Sequence, residues 1–152
     1  MQKEYSWSVG WNYGDATKIG QELETIGSLS ELTAENVVKY ARYHTDSELY
    51  SALEWDDAKA GELYRKRQAN GILTSIRVRI IDDDDDAKNI KPVRAFVQTI
   101  DPKKYDPIEV VVQDVNKYQV LLEKAYKELN RTKIKYADLS EIQELLKDLP
   151  EM

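Results

Sequence analysis

The chain has 152 residues, 41% of them hydrophobic and 33% charged, and a formal net charge of −6. This balance predicts a folded domain, alone or with an extension, and excludes a disordered chain. Because the chain has no cysteine, disulfides and thiolate metal sites are excluded too. The longest aliphatic runs, 110–112 and 120–122, are too short to span a membrane and the first ten residues lack a signal-peptide pattern, so we expect a cytoplasmic protein with no membrane partner.

The first elements are predicted from an aromatic pattern and a capping residue. Asp15 is a suitable N-cap for a helix over about 16–26, which Gly27 ends. Before it, a period of two is typical of a strand, which we place at about 4–12. The strand pattern is carried by Tyr5, Trp7, Val9, Trp11 and Tyr13.

Three more helices are predicted before residue 75. Thr33 caps a helix that runs to about Tyr43, and residues 45–48 form a capping box for a short turn that ends near Leu53. Asp56 or Asp57 is expected to cap the next helix, over about 57–73. The buried face predicted for that helix consists of Leu63, Ala69, Ile72 and Leu73.

Two strands are predicted next, and an acidic loop joins them. The first alternates over 76–80 with Arg77 and Arg79 on its solvent face, and the second covers 93–99. We expect the two to pair antiparallel around the loop 82–91. Five consecutive aspartates begin this loop: Asp82, Asp83, Asp84, Asp85 and Asp86.

The aspartate run does not match a calcium-binding loop. An EF-hand that starts at Asp82 needs Gly at its sixth position and Glu at its twelfth, but this chain has Ala87 and Val93 there. We therefore expect no specific metal site, while weak, non-specific association of Mg²⁺ or Ca²⁺ stays open. A solvated, self-repelling loop and an acidic surface for a basic protein partner both stay open.

For the C-terminal part, the sequence predicts an irregular linker followed by helices. Pro102 and Pro107 mark a linker over 101–113, and Asp114 caps a long helix from about 115. A second helix follows residues 138–141 and is closed by Pro150. Apolar residues recur at spacings of four and three, which predicts a seam for self-association or for packing on the domain: Tyr118, Leu122, Ala125, Leu129, Thr132, Tyr136 and Leu139.

The element order predicts an α+β fold in which helices precede a β-hairpin. We divide the chain into an α+β domain over 1–100, the linker, and a C-terminal helical extension over 114–152. A helix that leads into a two-stranded ribbon resembles a winged helix, in which that helix enters the major groove of DNA. The residues expected at double-stranded DNA are Arg65, Lys66, Arg67, Arg77 and Arg79.

Charge and motifs limit the functions that remain. The acidic total and the aspartate run oppose strong non-specific DNA binding, and three basic residues can also simply cover an exposed helix face. The chain has neither a nucleophile elbow nor a Gly-rich phosphate loop, and it has one histidine, His44. We therefore expect a protein that is not an enzyme and has no cofactor.

Four segments resemble a family of small proteins encoded by bacteriophages, prophages and integrated elements, mainly of Firmicutes: TAENVVKYAR, LEWDDAKAGELYRKRQANGILTSI, PVRAFV and LLEKAYKELNRTKIKYADLSEI. The shared pattern is an E-W-D-D helix entry, an R-x-x-Q-A helix and an R-A-F strand. The resemblance implies a phage or mobile-element origin and no particular activity.

Three hypotheses for function follow. The first is a non-catalytic accessory protein that binds DNA through the 57–73 helix and the adjacent strand, with a homo-oligomer formed through the C-terminal helix. The second is an interaction module that inhibits a host or defence factor through its acidic surface, chiefly Asp82–Asp86. The third is a structural component of the virion.

Overall fold

The computed structural model describes residues 2–81 and 91–150 and has the predicted α+β composition. The elements of its first half are β1 (Gln2–Trp7), α1 (Ala16–Leu29), α2 (Ala34–Tyr43), α3 (Glu48–Ala52), α4 (Glu62–Ser75) and β2 (Ile76–Ile81). Those of its second half are β3 (Val93–Arg94), β4 (Phe96–Gln98), β5 (Tyr105–Pro107), α5 (Ile108–Val111), α6 (Val115–Lys135) and α7 (Ser140–Leu146).

Local capping chemistry starts three of the helices at the predicted residues. Asp15 accepts the backbone N–H of Lys18, Thr33 accepts that of Asn36, and the Asp114 side chain accepts two at the start of α6. Each contact satisfies donors that the first helical turn leaves without a partner. The predicted end of α1 at Gly27 is wrong, since the helix continues to Leu29.

The first strand is shorter than its aromatic pattern indicates. β1 ends at Trp7, and Gly10 then takes a φ of 87°, which turns the chain away from the sheet. The remaining aromatic residues pack on one another instead of lining a strand. Trp7 and Trp11 lie 5.4 and 6.0 Å from Tyr13, between ring centroids.

A three-stranded antiparallel sheet has β2 at its centre, between β1 and β3. β1 pairs with β2 along its whole length, from Gln2 opposite Ile81 to Trp7 opposite Ile76. The predicted hairpin is confirmed, because β3 pairs antiparallel with β2, but it holds only two residue pairs. The strand predicted over 93–99 breaks at Ala95, and β4 pairs with β5 in a separate sheet.

The segment predicted as a linker, 101–113, is part of the folded body. It supplies β5 and α5, and it buries Tyr105 and Val111. The backbone N–H of Tyr105 donates to the carbonyl oxygen of Leu32 at 2.8 Å. The prediction of an irregular link is wrong because two prolines are compatible with a short edge strand and a helix start.

The core lies between the sheet and the four helices α1 to α4. Phe96 is 1% exposed and stacks on Tyr5 at 6.4 Å between ring centroids. Gly20 of α1 allows this packing, since a Cβ there would lie 2.4 Å from the Tyr5 ring. The core thus depends on a close approach of α1 to β1 that only glycine permits.

The helix predicted over 57–73 begins later, at Glu62. Asp56 closes a separate turn, accepting backbone N–H groups of Ala58, Lys59 and Ala60, and Gly61 is the N-cap of α4. Leu63, which was predicted to be buried, is 78% exposed, because it lies about 180° around the helix from Ile72. Ala69, Ile72 and Leu73 are buried as predicted.

The C-terminal helices form an arm, which we define as residues 115–150, on a body of residues 2–81 and 91–114. The predicted break after the long helix is confirmed, although Leu139, not Asp138, is the N-cap of α7. Neither α6 nor α7 has a buried residue. The arm is joined to the body by Lys124, which donates to the carbonyl oxygens of Gln98 and Thr99.

Candidate functional site

Arg65, predicted to lie on an exposed basic helix face, is 6% exposed. Its guanidinium forms ion pairs with Asp57 at 2.8 Å and with Glu62 at 3.3 Å. It also donates to the carbonyl oxygens of Glu54 and Ala60. The prediction of an exposed Arg65 is therefore wrong, because its donors already hold the loop before α4.

Trp55 packs against the same guanidinium. Its ring stacks on Tyr50 at 4.8 Å between centroids, and its Nε1 donates to the Tyr50 carbonyl oxygen. The guanidinium groups of Arg65 and Arg42 lie 5.3 and 5.8 Å from the Trp55 ring centroid, which is within cation–π range. The E-W-D-D pattern therefore anchors a loop onto α4, and it explains why a helix that resembles a recognition helix does not present its central arginine.

Lys66 and Arg67 are the basic residues of α4 that stay at the surface. Arg67 is exposed and Lys66 is half-buried, and neither forms an ion pair among the described residues. Consecutive helical residues point about 100° apart, so these two cations do not share one face. With Arg65 buried, α4 alone offers a weaker electrostatic surface than its sequence indicates.

The sheet presents a second basic surface, the arginine face, which consists of Ser6, Arg77, Arg94, Glu4 and Arg79. Directly paired residues of antiparallel strands project to the same side of a sheet. Ser6, Arg77 and Arg94 therefore form one row across the three strands, and Glu4 and Arg79 form the next. Arg79 donates to Glu4 at 2.7 Å, whereas no carboxylate of the described chain pairs with Arg77 or Arg94.

Arg94 was not among the residues predicted to bind a ligand. The alternating pattern around Arg94 predicts a strand, but the strand register is not predictable from it. Only the register of β2 with β3 places Arg94 opposite Arg77. The predicted residues Arg77 and Arg79 do lie together with it, on the side of the sheet away from Tyr5. The predicted interaction residues Asp82–Asp86 lie outside the described residues.

A charged cluster ties β1 to α1 and α5. Lys3 donates to Glu24 at 2.6 Å and also to Glu109, and the Tyr5 hydroxyl donates to Glu24. Burial favours the neutral form of Glu24, but the hydrogen bonds from Lys3 and Tyr5 outweigh it and hold the pKa of Glu24 below its ordinary value. Burial, reinforced by Glu24, raises the pKa of Tyr5.

This cluster borders a cavity of about 360 Å³. Its lining includes apolar side chains, among them Leu23 and Phe96, and charged side chains, among them Lys104 and Asp106. Asp106, for example, pairs with Lys117 at 3.4 Å and with Lys104 at 3.9 Å. Since these charges are paired within the chain, the cavity offers a ligand little beyond apolar contact.

His44 and the remaining acidic residues form no metal site in the described ranges. No group of three or more His, Cys, Asp or Glu side chains is arranged there to hold an ion. His44 is the C-cap of α2, and its ring stacks on Tyr40 at 3.9 Å. No helix in those ranges combines the length and apolar character of a membrane span.

The arm is the largest stretch of chain without buried side chains. α6 carries six Lys or Arg residues against two Glu, and α7 carries two Glu and no basic residue. α7 folds back on α6, where Gln143 donates to the carbonyl oxygens of Lys133 and Tyr136 at 2.9 Å. The predicted seam stays partly open, with Tyr118, Leu129, Tyr136 and Leu139 between 39% and 46% exposed.

Comparisons with family models, curated proteins and solved structures find no match to this chain. Geometry and charge alone therefore distinguish the candidate surfaces. The Arg65 contacts and the Lys3 cluster are satisfied within the chain. Within residues 2–81 and 91–150, the arm and the arginine face are the two surfaces with chemistry to offer a partner.

Proposed function

We propose that this protein is a non-catalytic interaction module that docks on a partner protein through its arm. The observation that carries the proposal is that α6 is amphipathic over 21 residues and yet has no buried residue. An amphipathic helix in water normally buries its apolar stripe, and in globular proteins that packing supplies most of its stability. A partner would supply the missing contacts along the seam.

The charge of α6 requires that a partner of the seam be acidic. Six basic residues against two acidic ones surround the apolar stripe, so a second copy of α6 laid along it would be repelled. An acidic amphipathic helix would be attracted, and α7, which carries Glu141 and Glu144, is an acidic helix that packs on α6. We therefore propose an acidic helical partner rather than self-association.

The resemblance to small phage-encoded proteins favours a host protein, or another protein of the same element, as that partner. Such a protein acts by occupying a surface, which requires no catalytic group. Inhibition of a host or defence factor and incorporation into a virion are both consistent with docking of this kind.

Two substitutions on the same helix test the proposal. Leu129, 39% exposed, lies on the seam, while Ile134, 76% exposed, lies about 140° around the helix from it. We expect Leu129→Asp to abolish capture of a specific acidic protein from host lysate, and Ile134→Asp to leave it intact. The captured protein is then purified and its affinity for both variants measured by titration calorimetry.

The result that contradicts docking is equal affinity of the two variants for the captured protein. A stable homodimer in light scattering that Leu129→Asp converts to a monomer would contradict the acidic partner and favour self-association. Far-UV circular dichroism of both variants checks that α6 remains helical.

Nucleic-acid binding is a second candidate, supported by the pairing of Arg77 with Arg94 on the arginine face. With Arg65 buried, the contacts that remain for DNA are Lys66, Arg67 and the arginines of the sheet. Binding that falls steeply with salt and is lost in Arg77→Gln, but kept in Arg65→Lys, would support this function. Absence of DNA binding at low salt would contradict it.

A further inference from the structure

Arg77 and Arg94 lie directly opposite each other on paired strands. Side chains in this position have Cβ atoms about 5 Å apart, close enough for one small group to touch both. Like charges directly opposite each other on paired strands destabilise a sheet. The row therefore contains a repulsion that the rest of the described chain does not relieve.

Among the described residues, no carboxylate forms an ion pair with either arginine. Glu4, in the next row, pairs with Arg79 at 2.7 Å. The Arg94 Nε is buried and has no hydrogen-bond partner among the described residues, although a buried N–H normally has one. Arg77 and Arg94 thus both retain guanidinium donors that no described residue accepts.

There is room beside Arg94 for a ligand. A cleft of about 360 Å³ lies between β3, β4 and α6, and Arg94 lines it together with Lys124 and Glu128. Lys124 is held by the carbonyl oxygens of Gln98 and Thr99, and its charge balances that of Glu128. Arg94 thus adds a net positive charge to this cleft.

We propose that Arg77 and Arg94 form a binding site for a phosphate oxyanion, either a free phosphate group or a phosphodiester of a nucleic acid. A tetrahedral oxyanion can accept hydrogen bonds from two guanidinium groups at once, and each such bond is charge-assisted. The bound anion removes the repulsion between the arginines and gives the Arg94 Nε–H an acceptor. Ser6, the third residue of the row, supplies a hydroxyl on the opposite side of Arg77.

Thermal unfolding tests the site itself. Inorganic phosphate is titrated against sodium chloride at equal ionic strength, because phosphate also stabilises proteins in a general way. We expect phosphate to raise the melting temperature of the wild type more than that of Arg77→Gln or Arg94→Gln. Arg67→Gln on α4, outside the site, should respond like the wild type. An equal rise in all four proteins would overturn the proposal.

A second measurement keeps the test valid if a glutamine variant fails to fold. The ¹⁵N resonance of the Arg94 Nε in the wild-type protein is followed during phosphate titration. We expect a saturable shift for Arg94 and none for Arg67. A shift that is linear in phosphate, or equal for both arginines, would overturn the proposal.

Fluorescence anisotropy with labelled oligonucleotides distinguishes the two sources of phosphate. If single- or double-stranded DNA binds, and Arg77→Gln and Arg94→Gln each weaken it at least tenfold while Lys39→Gln on the exposed side of α2 does not, the ligand is a nucleic-acid phosphodiester. If DNA binds neither the wild type nor any variant, but phosphate still raises the melting temperature of the wild type more than that of Arg77→Gln and Arg94→Gln, the ligand is a free phosphate group. DNA binding that is unaffected by Arg77→Gln and Arg94→Gln contradicts the phosphodiester arm.

Discussion

The body and the arm differ in where their apolar side chains lie. In the described chain, every buried hydrophobic residue lies between Tyr5 and Val111, and α6 and α7 bury none. The body closes its core with five strands and five helices drawn from both halves of the sequence. The arm is also amphipathic, but α7, two lysine contacts and the packing of α6 beside β3, β4 and α5 leave its seam partly exposed.

We infer from this difference that the body determines the stability of the fold and that the arm determines what the protein binds. Removing core contacts from the body should unfold the protein, because their burial offsets the conformational entropy of the chain. Removing seam side chains from the arm should change stability little and should change what the protein binds. Comparing matched substitutions in the body and in the arm tests whether the two regions contribute differently to stability.

The largest effect is expected at Phe96. Phe96→Ala should lower the free energy of unfolding by about 3–5 kcal/mol, since it removes a fully buried ring and leaves a cavity. Leu129→Ala in the arm should cost less than about 1 kcal/mol, because that side chain is already partly in water. Urea unfolding of both variants measures the difference. Equal losses would mean that the arm is part of the core.

Two glycines of α1 sharpen the description of the body. Gly20→Ala should destabilise by about 1–3 kcal/mol, because its Cβ would lie 2.4 Å from the Tyr5 ring. Gly27→Ala, where the nearest atom lies at 4.0 Å, should stabilise by about 0.5–1 kcal/mol through helix propensity. Opposite signs in the two melting curves are the expected result, and a stable Gly20→Ala protein would contradict the close approach of α1 to β1.

A smaller effect concerns the Lys3 cluster that ties β1 to the helices. The pKa of Glu24 is below its ordinary value of 4.5 in the folded state, so its ionised form stabilises the fold above pH 4.5. This contribution is lost as the pH falls through the lowered pKa. Glu24→Gln should therefore flatten the acid limb of a stability profile measured by urea unfolding. If the acid limb of the Glu24→Gln profile matched that of the wild type, the Lys3 cluster would make no pH-dependent contribution to stability.

Local chemistry explains which parts of the fold could be predicted from the sequence. Helix starts at Asp15, Thr33 and Asp114 follow from side-chain oxygens a few residues from the N–H groups that they accept. The strand break at Ala95 and the pairing of β4 with β5 depend on residues far along the chain. No period or cap in the sequence specifies such a break.

The candidate site shows the same limit. Arg65, Lys66 and Arg67 look alike in the sequence. Arg65, however, lies on the buried face of α4 with Ala69 and Ile72 and contacts Asp57 and Trp55, whereas Arg67 is exposed. Arg94 becomes a candidate binding residue only because the register of β2 with β3 places it opposite Arg77. The seam of the arm was predictable because its period is local, although its exposure was not.

Hydrogen–deuterium exchange of the protein alone and with its captured partner tests docking by the arm most directly. We expect the partner to slow exchange in peptides that cover residues 118–136 and to leave the core strands of the body unchanged. The account predicts that Leu129→Asp abolishes this protection and that Ile134→Asp preserves it. Protection confined to the body, with exchange in α6 unaltered, would contradict it.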